Sequence, residues 1–331
     1  MPSKRYIGSR NSFDLLDTER IMKHTLGAAL LVSLTLAGAS GTDAAETADL
    51  LTQAIQFGAA AEWNRPQDPV RIYGQTYYVG VAGLSSVLIH TDAGSILLDG
   101  DLPQSAPLIE ANIRKLGFRV EDIKLILNSH AHFDHAGGIA ALQRDSGAEA
   151  LASPSGAKAL REGHVADDDP QAAISDAAHF PAVAKVREVH DGQTLRLGNV
   201  AVTAHFTPGH TPGSTTWTWR DCENSRCLDV VYADSLNPVS APGFHFLADD
   251  KHADLTATFR KSIQALAKLP CDILITVHPE LSGTPEKLER QRLRPTPNPF
   301  VDAQACRNYA RGAEARLDGR IAEEKKTRAG K

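Results

Sequence analysis

Asn128-Ser129-His130-Ala131-His132-Phe133-Asp134-His135-Ala136-Gly137-Gly138 is the stretch on which the reading of this chain turns. It sets three imidazoles and one carboxylate within six residues, directly after the apolar run Ile123-Lys124-Leu125-Ile126-Leu127, which reads as a buried strand. Neutral imidazole is the commonest metal ligand, so a cluster this dense points to a metal site. In an extended segment alternate side chains share a face, so His130 and His132 reach one ion. The turn into the next helix sends Asp134 and His135 towards a neighbouring position. One short motif can therefore serve two metals.

Two later strand ends offer further donors. His210 sits in Thr207-Pro208-Gly209-His210-Thr211-Pro212-Gly213, and His278 in Thr276-Val277-His278-Pro279. Pro and Gly around His210 describe a tight loop that brings backbone close to a metal. With His130, His132 and His210 on a first ion and Asp134, His135 and His278 on a second, each zinc has three protein ligands. Each keeps an open position for water, the arrangement of catalytic zinc, whereas a structural site is closed by four ligands. We therefore expect two Zn2+ per chain. His278 alone also reads as a packed residue after a buried strand. His24, His90, His164, His179, His190, His205, His245 and His252 lack comparable context and read as surface or core histidines.

Working outward, short strand-like runs from Arg71 separated by turn signals read as a β-meander. Ser105 then stands as the cap of an amphipathic helix ending at Gly117, and the residues after Asp134 read as a helix that starts at the strand's end. The second half repeats the theme. TLRLG (194–198), VAVTAHF (200–206), STTWTWR (214–220) and LDVVYA (228–233) read as strands, 253–269 as a helix and 271–278 as one more buried strand. A Pro-rich stretch over 294–300 precedes a long terminal helix over 302–326. The fold class is α/β: two β-rich halves, each closed by helices, suggest sheets packed face to face with helices outside.

The 331 residues suit one large domain or two. Hydrophobic residues at 42% and charged residues at 23% argue against a disordered, collagen-like or polytopic membrane chain. Lys+Arg 35 against Asp+Glu 40, with no basic run interleaved with aromatics, argues against nucleic acid as a partner. The apolar residues 26–39 are too few to span a bilayer. Preceded by Arg20, Lys23 and His24 and ending in Ala37-Gly38-Ala39, they read as a secretory signal peptide over 1–39, with Met22 as a possible start. A buried N-terminal helix is the other reading. We expect a single domain over 40–331, monomeric, with no membrane contact after cleavage.

Export permits disulfides. Cys222 and Cys227 flank a polar turn between two strands and pair across a hairpin, which leaves Cys271 with Cys306. Four cysteines allow three pairings, and spacing alone also leaves free thiols open. Loop-closure arithmetic gives about 2 kcal/mol for the short loop and about 3.8 kcal/mol for the long one, as upper values.

HAHFDHAGG (130–138), TPGHTPGSTTW (207–217) and TVHP (276–279) together resemble the metallo-β-lactamase superfamily, over most of the mature chain. The three-histidine first site, the lack of a ligating Cys, YADSL (232–236), WNRPQDPVRIYGQTYYVG (63–80) and the Cys271/Cys306 pair are similar to class B β-lactamases of the third subclass. The resemblance implies a four-layer αβ/βα sandwich with both zincs at one edge between the sheets. It also implies a periplasmic enzyme that hydrolyses the lactam amide of penicillins, cephalosporins and carbapenems. A water shared by two zincs about 3.5–4 Å apart ionises near neutral pH and supplies a bridging hydroxide as nucleophile. Asp134 would orient it, the first zinc would polarise the carbonyl, and the second would hold the substrate carboxylate and the leaving nitrogen. Neither Ser214 nor Ser235 has the G-x-S-x-G setting of a covalent nucleophile.

The resemblance divides at Tyr232-Ala233-Asp234-Ser235-Leu236-Asn237. In thioesterase and lactonase relatives an Asp here bridges the metals, which would be Asp234. In the lactamase subclass the next Ser lies by the second zinc, and a Ser-x-Ser or Ser-x-Thr pair binds the substrate carboxylate. Ser235 and Asn237 hold those positions here, so that contact stays open, with Ser240 as a substitute. Trp63 and Phe180 fall where the family puts aromatics near substrate, with ordinary packing as the alternative. The rival functions are a lactonase or hydroxyacylglutathione-type thioesterase on the same dinuclear site, and a non-catalytic zinc-binding periplasmic protein.

Overall fold

In β3 (Val87–Thr91) Val87 and Ile89 belong to one apolar cluster and Leu88 to another, and all three are fully buried. The same division recurs in β4 (Gly94–Leu98), with Leu97 opposite Ile96 and Leu98, and in β5 (Ile123–Leu127), with Ile126 opposite Leu127. A sheet with two apolar faces must be covered on both sides. These strands lie inside a seven-stranded sheet ordered β1 to β7. The antiparallel meander β1 (Val70–Tyr73), β2 (Thr76–Tyr78), β3, β4 is followed by parallel β5, β6 (Glu149–Ala152) and β7 (Val186–Glu188). The described residues, in a computed structural model, are 49–174, 178–249 and 253–329. The expected signal segment over 1–39 lies outside them.

The second sheet has five strands in the order β12 (Ile273–Thr276), β11 (Arg226–Ala233), β10 (Thr215–Glu223), β9 (Val200–Phe206), β8 (Thr194–Leu197). Val230 and Tyr232 of β11 share the inter-sheet cluster with Ile89 and Leu98, while Val231 and Ala233 turn to a third cluster. That outer cluster is formed with α6 (Thr256–Lys268) and α8 (Ala305–Ala329). On the far side of the first sheet lie α2 (Ala106–Lys115), α4 (Ile139–Ser146) and α5 (Pro154–Glu162). The layers are therefore helix, sheet, sheet, helix, as expected. Short α1 (Ala60–Trp63) and α3 (Phe133–Ala136) and the edge helix α7 (Thr284–Leu293) complete the described helices of the α type. No helix among the described residues is long and apolar enough to cross a membrane.

Two local expectations are corrected. Ser105 does not cap α2: the helix is entered through a 3-10 turn at Pro103–Ser105, and the Ser105 hydroxyl donates to Asn64 Oδ1 at 2.6 Å. The helix expected after Asp134 is broken between α3 and α4 at Gly137-Gly138. A Cβ on Gly138 would lie 2.2 Å from the Gly100 carbonyl oxygen, so the close approach of two backbones sets the break.

Cys222 and Cys227 are bonded across the β10–β11 hairpin, whose two loop residues, Asn224 and Ser225, have φ of 48° and 65° as a type I′ turn requires. Cys271 is bonded to Cys306 at the start of α8.

Candidate metal centre

Strands β9, β11 and β12 run in one direction, because β10 is antiparallel to β9 and β11, and β12 is parallel to β11. Their carboxyl ends therefore lie on one edge of the second sheet and deliver His210, Asp234 and His278 there. From the first sheet β5 delivers His130 and His132. The Thr215 amide donates to the Ser129 carbonyl at 2.8 Å, which ties the two sheets at this edge. Beneath it the fully buried Trp217 donates its indole N–H to the Asn128 carbonyl at 3.0 Å.

The segment before the histidines is fixed by Asp99. Its carboxylate accepts from the Ser129 amide at 2.7 Å, the Ser129 hydroxyl at 2.6 Å, Asn128 Nδ2 at 3.0 Å and the Tyr232 hydroxyl at 2.9 Å. Asp99 and Asp101 hold φ of 57° and 54°, a left-handed backbone seldom adopted by residues other than glycine, and such strain gathers at functional sites.

Hydrogen bonds choose which nitrogen of each ring is left over. His210 Nδ1 donates to the Asn237 carbonyl at 2.7 Å, which leaves Nε2 as a lone pair. His130 Nδ1 donates to Asp234 Oδ1 at 2.6 Å, and His130 Nε2 is buried without a partner. His132 turns the other way round: Nε2 donates to Asp169 Oδ1 at 3.0 Å, leaving Nδ1. The three rings stand 4.7, 4.8 and 5.0 Å apart, and ligand atoms of the three lie within 4.8 Å of one another. Burial drives the His210 imidazole down to about 3 and holds His130 well below the ordinary range. Both rings are therefore neutral, the form that binds metal.

The second cluster is tighter. Asp134 Oδ2 lies 3.3 Å from His135 Nε2 and 3.4 Å from His278 Nε2, and the two nitrogens are 3.3 Å apart. Tetrahedral zinc with bonds of about 2.0–2.1 Å has ligands about 3.3–3.4 Å from each other, so the triangle has the edge length such an ion needs. Burial would raise the Asp134 carboxyl, but His135 and His278 hold it well below its usual range, as a carboxylate.

Charge makes the same demand. Asp99, Asp101, Asp134, Asp169 and Asp234 are all buried, and no described residue forms a Lys or Arg ion pair with any of them. Burial pushes Asp234 and Asp101 well above the carboxylate range. Five buried carboxyl groups stand here without a lysine or arginine partner among the described residues, and bound metal ions would supply the missing positive charge. The donor set therefore fits metal, and among borderline metals nitrogen-rich tetrahedral ligation suits zinc.

The sequence-predicted residues reach this edge with two exceptions. A groove of about 280 Å³ is lined by His132, Asp134, His210, His278, Ser235 and Asn237, and its rim by Phe57, Trp63, Ile174, Val239 and Leu281. Trp63 packs against the His278 ring at 5.4 Å. Phe180 is absent from the groove and buried in the same apolar cluster as Leu160 and Val183. Ser240 is also turned away: its hydroxyl accepts from Arg320 at 2.8 Å, and Val239 takes the wall instead. Asp234 contacts the outward nitrogen of His130 rather than facing the groove.

Asp169 and Gln171 escaped the sequence reading. Gln171 Nε2 lies 3.4 Å from His132 Nδ1 and 3.5 Å from His210 Nε2, at the groove side of the first cluster. Nothing marked Asp169 among the adjacent Asp167, Asp168 and Asp169, and only the contact with His132 singles it out. A carboxylate on the outer nitrogen of a ligating histidine fixes its tautomer and raises its basicity. Asp234→Asn is therefore expected to weaken metal binding at the first cluster about 10- to 100-fold, read by competition with a chelating dye. Unchanged affinity would show that His130 does not depend on this contact.

The family model of the metallo-beta-lactamase superfamily matches residues 79–278, and the chain belongs to that superfamily. Within it, the chain is similar to solved subclass B3 enzymes. The Rm3 metallo-beta-lactamase is 50% identical with a TM-score of 0.78, over 82% of this chain and 99% of that one. A subclass B3 metallo-beta-lactamase isolated from a soil metagenome library is 48% identical with a TM-score of 0.77, over 80% of this chain and 99% of that one. The hydroxyacylglutathione hydrolase of Rhodopseudomonas palustris strain BisB5 is 30% identical over 146 residues, 44% of this chain and 47% of the relative. The chain thus spans about half the length of the curated relatives it matches.

Proposed function

We propose that this chain is an exported zinc β-lactamase that opens the lactam amide of penicillins, cephalosporins and carbapenems, with two zinc ions held by His130, His132 and His210 and by Asp134, His135 and His278. The observation that carries this reading is that both ligand clusters open on one groove while Asp234 is turned to the outer nitrogen of His130. Bound zinc supplies an ionised water near neutral pH and a Lewis acid for the carbonyl.

The remaining work falls to the chain. Asp134, held as a carboxylate and facing the groove, accepts a hydrogen from the attacking water and so orients it. The Gln171 amide is placed to donate to a carbonyl brought to the first cluster. Ser235 Oγ lines the groove and is buried without a partner, which suits a donor reserved for the substrate carboxylate, with Asn237 beside it. The apolar rim of Phe57, Trp63, Val239 and Leu281 takes the varied side groups and excludes water. We take 1–39 as a cleaved export segment and 40–331 as one monomeric domain; the two disulfides, which persist in an oxidising compartment, support the export.

A thioesterase reading has one observation in its favour, the resemblance to hydroxyacylglutathione hydrolases over 146 residues. The reading is tested by offering the zinc-loaded chain a penicillin, a carbapenem, a hydroxyacyl-glutathione thioester and an acyl-lactone. Lactam opening should be the fast reaction. Turnover of only the thioester or the lactone would displace the lactamase reading and return Asp234 to the metals.

A further inference from the structure

We propose that a cavity behind the metal centre, between α7, α8 and the 3-10 turn Pro279–Ser282, binds a small tetrahedral oxyanion of the phosphate class. The cavity, about 270 Å³, is lined by Lys287 of α7, by Asn308, Tyr309 and Arg316 of α8, and by Asp302. It is separate from the groove: the two share Leu281 but no charged residue.

Lys287 is only 9% exposed, and no hydrogen bond or ion pair joins its ammonium to a described residue. Burial of its stem draws Lys287 below the usual lysine range against the pull of Asp302, while the ammonium lines the cavity with its N–H groups free of an acceptor among the described residues. The second cation is equally short of acceptors. Arg316 Nε is buried without a partner, and among the described residues its guanidinium otherwise meets the Leu236 carbonyl at 3.4 Å and the face of Tyr309 at 5.8 Å. Asp302 is the one carboxylate in the lining, and its Oδ1 already accepts from the Gln304 amide at 2.9 Å. Tyr309 adds no charge, since burial pushes its phenol up, and its hydroxyl is engaged with Leu236 N and Asp234 O.

Two cations against one carboxylate leave net positive charge in a concave site with spare N–H donors. Those donors arrive from two helices, so an anion with oxygens on several sides uses them better than a planar carboxylate does. The volume admits a single phosphate group and is too small for a folded peptide segment. The inference rests on these residues alone and stands whether or not the groove hydrolyses lactams.

The test is thermal unfolding of the zinc-loaded chain in increasing inorganic phosphate, against chloride at matched ionic strength. The expected result is a saturable rise of roughly 2–4 °C with phosphate and none with chloride. Lys287→Met should weaken the phosphate response about tenfold or more. Asp302→Asn, which removes the competing carboxylate, should strengthen it up to about fivefold. No saturable rise in the unaltered chain, or a full response in Lys287→Met, which would put the anion at the metal centre, overturns the proposal. Should Lys287→Met fail to fold, an unchanged or weaker response in Asp302→Asn does the same.

Discussion

Asp134→Ala is expected to lower kcat/KM for lactam hydrolysis by about 10²–10⁴-fold or more, with far-UV circular dichroism unchanged. The size of the effect follows from two losses at one atom. Asp134 Oδ2 completes the triangle with His135 Nε2 and His278 Nε2, so the second ion loses a ligand. Asp134 also faces the groove, so the attacking water loses its acceptor. Assaying the variant at saturating zinc separates the two: occupancy recovers, but the proton acceptor does not. Near-full activity in a folded, zinc-loaded Asp134→Ala chain would remove Asp134 from the mechanism.

Metal removal should have the second largest effect. Prolonged dialysis against a strong chelator is expected to reduce hydrolysis to the uncatalysed background, and added zinc to restore it. Stability should fall as well, because Asp99, Asp101, Asp134, Asp169 and Asp234 then lie buried with neither a metal nor a lysine or arginine partner among the described residues. At metal concentrations about a hundredfold above Kd, the difference in Tm between loaded and stripped chain should be roughly 5–10 °C. Activity that persists in a chain shown free of metal would end the hydrolytic account given above.

What could be read in the sequence was what local geometry dictates. His130, His132, Asp134 and His135 are close because they are neighbours at a strand end, so their clustering required no tertiary information. His210 and His278 could be reached because each directly follows a strand, and strands of one direction present their ends together. The hairpin disulfide was legible for the same reason: Cys222 and Cys227 sit opposite each other around a two-residue turn. What was not legible depends on contacts between distant segments. The break at Gly137-Gly138 is imposed by the Gly100 carbonyl, which lies far back in the chain. Gly209, whose presence suggested close approach to a metal, instead makes room for Phe259 of α6, 2.6 Å from where its Cβ would lie. Phe180 is taken up by the core, and Ser240 is claimed by Arg320 of α8, neither of which a local pattern encodes. Gln171 reaches the first cluster because the Ala241 amide, donating to the Pro170 carbonyl at 2.8 Å, pins its loop beside the groove.

The most direct measurement of the central proposal is anomalous diffraction at the zinc edge from crystals of the metal-loaded chain. Two peaks are expected, one among His130 Nε2, His132 Nδ1 and His210 Nε2, the other among Asp134 Oδ2, His135 Nε2 and His278 Nε2. A single peak, or a peak with the Asp234 carboxylate in its coordination sphere, would contradict the dinuclear site as assigned.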